Sequence, residues 1–145
     1  MLFNAIKPIK LRNNDENRIF QGASLTFSIL KKQVLITGMS GLIGTALKNY
    51  LSDKYHLSAL NRSRVDGVQC YQADIADLTS ILPAFENKDT VVHLSAIWRD
   101  DPSWNDFLNC NVIGTYNVFE AARLANVKRI IFASSCLLYT SDAAD

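Results

Sequence analysis

Three glycines, Gly38, Gly41 and Gly44, follow one another at G-x-x-G-x-x-G spacing directly behind the apolar run Val34-Leu35-Ile36-Thr37. Residues of this type at this spacing can hold a diphosphate. Gly38 lets the chain leave a strand in a conformation that a Cβ opposes. Gly41 carries no side chain, so backbone can approach a pyrophosphate closely, and Gly44 lets the following helix pack tightly on a sheet. The free N–H groups of that helix's first turn, aided by its dipole, then attract the phosphates. Gly38, Ser40, Gly41, Leu42, Ile43 and Gly44 are thus the candidate residues around a diphosphate. The motif sits in the context it requires, with a strand before it and a helix after it. A glycine-rich turn without a ligand is the alternative.

Such a turn works only if a sheet positions it, and the chain supplies one. After Gly41, the residues Ile43, Ala46, Leu47, Tyr50 and Leu51 recur at helical spacing. Strand and helix patterns then alternate. Strands are expected at residues 33–37, 56–60, 68–71, 90–94 and 129–133. Helices are expected at 42–52, at 78–85 with an interruption at Pro83, and at 104–125. Repeated β-α units with apolar strands imply a parallel sheet covered on both faces. Right-handed crossovers make it a doubly wound, Rossmann-type α/β sheet, with its ligand at the carboxyl ends of the strands. In the long helix Trp104, Phe107, Leu108, Val112, Val118, Phe119 and Ala122 fall at roughly helical spacing and read mostly as core. Asn111 and Gly114 are unexpected near that apolar face. Glycine there costs about 1 kcal/mol relative to alanine, and a buried amide needs partners.

Composition sets the outer limits. The chain has 145 residues, 48% hydrophobic and 20% charged, with a net charge of +1. That suits one globular domain and gives no basic patch for nucleic acid. Neither a bilayer-spanning apolar stretch nor a secretory signal is apparent. Cys70, Cys110 and Cys136 have no metal-like spacing, so no metal site is expected. Cys70 and Cys110 read as small buried thiols in a reducing cytosol. Residues 1–32 read as an N-terminal extension to which no chemistry is assigned, and 33–135 as the nucleotide-binding domain.

Further along the chain, the pieces resemble the extended short-chain dehydrogenase/reductase family of nucleotide-sugar epimerases, dehydratases and sugar dehydrogenases. Thr37-Gly38-Met39-Ser40-Gly41-Leu42-Ile43-Gly44 is similar to its T-G-x-x-G-x-x-G. Ala73-Asp74-Ile75, His93-Leu94-Ser95-Ala96, Asn111-Val112-Ile113-Gly114-Thr115 and Phe132-Ala133-Ser134-Ser135 are similar to four later segments, in the family's order. The resemblance implies that Asp74 accepts a hydrogen bond from an adenine amino group, with Ile75 beside the ring. It implies that Leu94, Ser95 and Ala96 pass under the ribose and nicotinamide. It makes Asn111 a brace near the nicotinamide ribose. His93 is expected inside its strand as a satisfied structural histidine rather than a base. At the end of the second strand an acid would bind both ribose hydroxyls and favour NAD. This chain has Asn61 and Arg62 instead, which leans toward NADP, Arg62 pairing with a 2′-phosphate.

The chemistry of the resembled family needs a tyrosine and a lysine at Y-x-x-x-K spacing, plus a hydroxyl for which Ser135 is the candidate. No such pair stands after Ser135 here: Tyr139 is followed four residues later by Ala143. Residues 136–145 also resemble a translated sequencing-library adapter, so the expectation is a non-native tail and a natural gene that continues past Ser135. A natural end is the alternative. The fold is then the N-terminal half of a larger one. The reading is the NAD(P)-binding part of an oxidoreductase or isomerase acting on a sugar or nucleotide sugar, cytoplasmic and possible as a homodimer. A non-catalytic NAD(P)-binding sensor and a methyltransferase-like Rossmann fold are the rivals. The glycine spacing, Asn111 and Ser135 argue against the latter.

Overall fold

The computed structural model describes residues 31–98 and 103–134. Five strands form one parallel sheet: β1 (Gln33–Thr37), β2 (His56–Asn61), β3 (Gln69–Gln72), β4 (Thr90–His93) and β5 (Arg129–Phe132), in the spatial order β3-β2-β1-β4-β5. The central strand β1 is buried without a break from Val34 to Thr37. Such unbroken burial is expected of a parallel strand covered on both faces.

Alternation along the strands splits the core in two. Leu35, Leu60 and Val91 point to one face, where Ile81, Ala84 and Phe85 of α2 (Leu78–Phe85) and Val118, Ala121 and Ala122 of the last helix cover them. Val34, Ile36, Ala59 and Val92 point to the other face, which receives Leu47 from α1 (Leu42–Leu51). Asp77 caps α2, its carboxylate accepting from the amides of Thr79 and Ser80. Pro83 does not interrupt that helix, contrary to expectation. Burial of Ala84 and Phe85 behind it outweighs the lost backbone hydrogen bond.

The last helical run, residues 104–124, is continuous but not uniform. It opens as α3 (Trp104–Phe107), widens into a π-helical stretch over Leu108–Gly114, and ends as α4 (Thr115–Leu124). Its apolar residues do not all enter the core. Val118 and Ala122 do, whereas Trp104, Phe107, Val112 and Phe119 lie exposed. The sheet and α2 take only the side bearing Gly114, Asn117, Val118, Ala121 and Ala122, and the described residues leave the opposite side uncovered. In α1, Ile43 and Tyr50 are likewise exposed, and only Leu47 and Leu51 of the expected stripe are half-buried. Cys70 and Cys110 are free and half-buried rather than fully buried, one packed against each core. No helix among the described residues is long and apolar enough to cross a membrane.

The junction of β1 and α1 leaves no room for a side chain. A Cβ on Gly44 would stand 2.5 Å from Met39 Cα and 2.6 Å from the carbonyl oxygens of Gly38 and Met39. Backbone cannot yield to it cheaply. Gly44→Ala is expected to destabilise the domain by about 2 kcal/mol, the scale of overpacking a filled site. An unchanged midpoint in urea unfolding would contradict this packing.

Candidate functional site

The chain turns from β1 into α1 through Gly38, whose φ of +70° lies in the left-handed region. The turn lies directly against the chain that leaves β4: a Cβ on Gly38 would come within 2.9 Å of Ser95 N. The amide of Gly41 closes the turn onto the Gly38 carbonyl at 3.1 Å. Gly41 is the N-cap of α1 and has no side chain to bond the first-turn amides, so they remain for a ligand. No acidic side chain stands in that first turn to compete with an anion.

In the strand order, β1 and β4 are neighbours from which the chain winds off in opposite directions. The crevice above their carboxyl ends is the place where open α/β sheets bind ligands. A cavity of about 690 Å³ opens there. Its walls include the turn from Gly38 to Gly44, then Asn61 and Arg62 after β2, Asp74 and Ile75 after β3, and Leu94, Ser95 and Ala96 after β4. The structure thus brings together the candidate residues from four separate strand ends. Asn111 stands outside this lining. Its Nδ2 donates to the Ile97 carbonyl and its Oδ1 accepts from the Ile97 amide, both at 2.8 Å. It ties the loop after β4 to the π-helical stretch. Ser135 lies outside the described residues, as do Cys136 and Tyr139.

Two side-chain arrangements in the walls bear on what the cavity accepts. Asn61 is 8% exposed; its Nδ2 donates to Ser40 Oγ at 2.7 Å, and its Oδ1 is buried with no partner among the described residues. A buried polar atom left so is costly and calls for a donor from elsewhere. At Asp74, Oδ1 accepts from the Ala76 amide at 2.9 Å, which leaves the second carboxylate oxygen to a ligand. Cys110 lines the same cavity. Burial pushes its thiol pKa up, which keeps it protonated and unreactive.

Beneath the cavity runs a polar chain that the sequence did not reveal. Thr37 Oγ1 accepts from the amides of Leu94 and Ser95 at 3.2 and 3.3 Å and lies 2.6 Å from His93 Nδ1. The single hydroxyl proton therefore goes to Nδ1, and the ring's own proton sits on Nε2, which donates to Thr115 Oγ1 at 3.1 Å. His93 is fully buried and stacks on Phe132 with ring centroids 5.4 Å apart. It is a satisfied structural histidine, as expected. Burial pushes its pKa down to about 4.

The fold has counterparts among known proteins. A family model described as the NAD dependent epimerase/dehydratase family matches residues 34–145. L-arabinose 1-dehydrogenase (NAD(P)(+)) of Haloferax volcanii is 32% identical over 103 residues, covering 71% of this chain and 41% of that protein. A variant of uronate dehydrogenase from Agrobacterium tumefaciens, solved with NAD, superposes with a TM-score of 0.66 at 34% identity, over 72% of this chain and 41% of its own. MoeE5, solved with UDP-glucuronic acid and NAD, gives 0.67 at 32% identity, over 74% and 38%. The chain spans about two fifths of the length of these relatives.

The lowered pKa of His93 sets a pH dependence. The unfolded chain takes up this proton as pH falls through about 6.5, whereas the folded chain resists until about 4. Stability is therefore complete above pH 6.5 and drains away as pH falls toward 4, by about 2–3 kcal/mol from this one ring. Urea unfolding at pH 7 and pH 4.5 measures it. His93→Asn is expected to start less stable at pH 7 but to lose that much less on acidification. An equal acid loss in both proteins would refute the assignment.

Proposed function

Because this chain belongs to the NAD-dependent epimerase/dehydratase family, we propose that it is the NAD(P)-binding part of an oxidoreductase or isomerase of sugars or nucleotide sugars. One observation carries the reading. The glycine turn, Asn61 with its unpartnered Oδ1, and the half-committed Asp74 line a single cavity at the strand switch point. The first-turn amides of α1 hold the diphosphate. Asp74 takes the adenine amino group, with Ile75 against the ring. Leu94, Ser95 and Ala96 form the floor toward the nicotinamide, held by Thr37 and, through Ile97, by Asn111. When bound, the nicotinamide supplies or accepts a hydride. Ser135 is the hydroxyl expected near the reacting carbon. Trp98, 89% exposed at the cavity rim, offers a flat apolar surface to a sugar.

NADP is the favoured form and NAD the second. Asn61 brings no charge against a 2′-phosphate, and the exposed Arg62 has no side-chain partner among the described residues. The orphan Asn61 Oδ1 can accept a ribose hydroxyl, and a flipped amide can donate to a phosphate. The exposed residues Val112, Tyr116 and Phe119 supply an apolar face for a homodimer. The free thiols suit a reducing cytosol.

Fluorescence titration with NADH, NADPH and S-adenosylmethionine tests the reading. Binding of neither dinucleotide overturns it. Arg62→Ala is expected to weaken NADPH by about tenfold, the worth of one charge-assisted contact, and to leave NADH unchanged. Equal losses for both would reject the lean to NADP. The 145-residue chain itself, with no Y-x-x-x-K after Ser135, is expected to give no turnover. Reduction of NAD(P) by L-arabinose or D-glucuronate in its presence would contradict that.

A further inference from the structure

Asn117 is a buried amide in the first turn of α4, where an apolar residue would pack better. Both protons of its Nδ2 are used at long range: one goes to the Ile75 carbonyl and one to the Ala76 carbonyl, each at 2.9 Å. One turn earlier Gly114 adds a second constraint. A Cβ there would lie 2.5 Å from Ile75 Cγ1, so Ile75 occupies the space that any other residue would fill. The helix thus grips the segment after β3 by its backbone and by its one buried side chain.

That segment carries Asp74. Its turn is closed by the Asp77 amide on the Asp74 carbonyl at 3.0 Å and by the Ala76 amide on Asp74 Oδ1 at 2.9 Å. Asp74 is exposed; on the strand side the Ala73 amide donates to the Asn61 carbonyl at 3.1 Å, and Ser80 Oγ reaches the Asp74 carbonyl at 3.5 Å. From the helix side, Asn117 and Gly114 hold the turn. The geometry points to Asn117 as a positioning residue for the adenine end of the cavity: by holding the carbonyls of Ile75 and Ala76 it aims the free carboxylate oxygen of Asp74 at the base. This inference rests on the reading of the cavity as a dinucleotide site with adenine at Asp74. It adds that an amide on α4 sets how well the base is told from its analogues.

The test compares reduced nicotinamide adenine dinucleotide with its hypoxanthine analogue, in which a carbonyl replaces the 6-amino donor. The wild-type chain is expected to prefer the adenine form by about tenfold, as loss of one hydrogen bond to a charged group requires. Asn117→Leu, of similar volume and without donors, is expected to bring that preference to about unity through the adenine form alone, with the hypoxanthine affinity held within about twofold. Asp74→Ala should do the same, and the double variant no more than either. If Asn117→Leu shows no cooperative thermal transition, Asn117→Ser keeps one donor and is expected to give an intermediate preference. A folded Asn117 variant that keeps the full preference overturns the inference while leaving the dinucleotide site intact. A wild-type chain that binds both forms equally overturns it too. A wild-type chain that binds neither sinks the dinucleotide reading and the inference together.

Discussion

The approach of the β1 turn to the chain leaving β4 is the constraint on which the rest depends. Gly38 lies so close to Ser95 that no side chain fits between them, and Thr37 holds the amides of Leu94 and Ser95 with a single hydroxyl oxygen. Two strands 56 residues apart in sequence are thereby locked at the end where a ligand would bind. The glycine turn and the floor of the cavity cannot move independently. A shift in one is a shift in the other, and His93, wedged between Thr37 and Thr115, carries it on to the last helix.

The polar groups under the cavity divide into two kinds. Thr37, His93, Asn111 and Asn117 are satisfied by protein and serve to hold backbone. Asn61 and Asp74 are left partly open on the cavity side. A buried amide that is fully bonded rigidifies its surroundings, and one that is half bonded costs stability until a ligand completes it. The satisfied set lies behind the walls and the open set lies in them. That division is the physical content of a preformed site.

Much of this was legible in the sequence. The strands read correctly to within a residue or two because parallel strands are short unbroken apolar runs, and the glycine spacing located the turn. Asp74, Asn61 and Arg62 were legible as strand-end residues because topology sends those ends to one crevice. Burial was less legible. The exposure of Phe119, Val112 and Tyr50 depends on what packs against them, which periodicity does not encode. The π-helical widening at Leu108–Gly114 leaves no mark in a pattern whose period it alters by a fraction of a residue. Pro83 misled because propensity is local and the burial of Phe85 is not. Asn117 and Thr37 gave one faint signal each, a polar residue at a core position. Only their partners across 40 to 60 residues reveal the use.

The strand order carries a consequence for how such a chain is made. Among the described residues β1 is both the first strand and the central one, yet its second neighbour, β4, follows more than fifty residues later. Until Val91 and Val92 have left the ribosome, one whole edge of β1 stands unpaired, and closing that loop has an entropic cost before any contact repays it. The nascent polypeptide therefore carries a sticky, half-clothed β1–α1–β2 unit until β4 emerges. Chaperone capture during this interval, not the endurance of the finished sheet, would then limit how much protein a cell recovers.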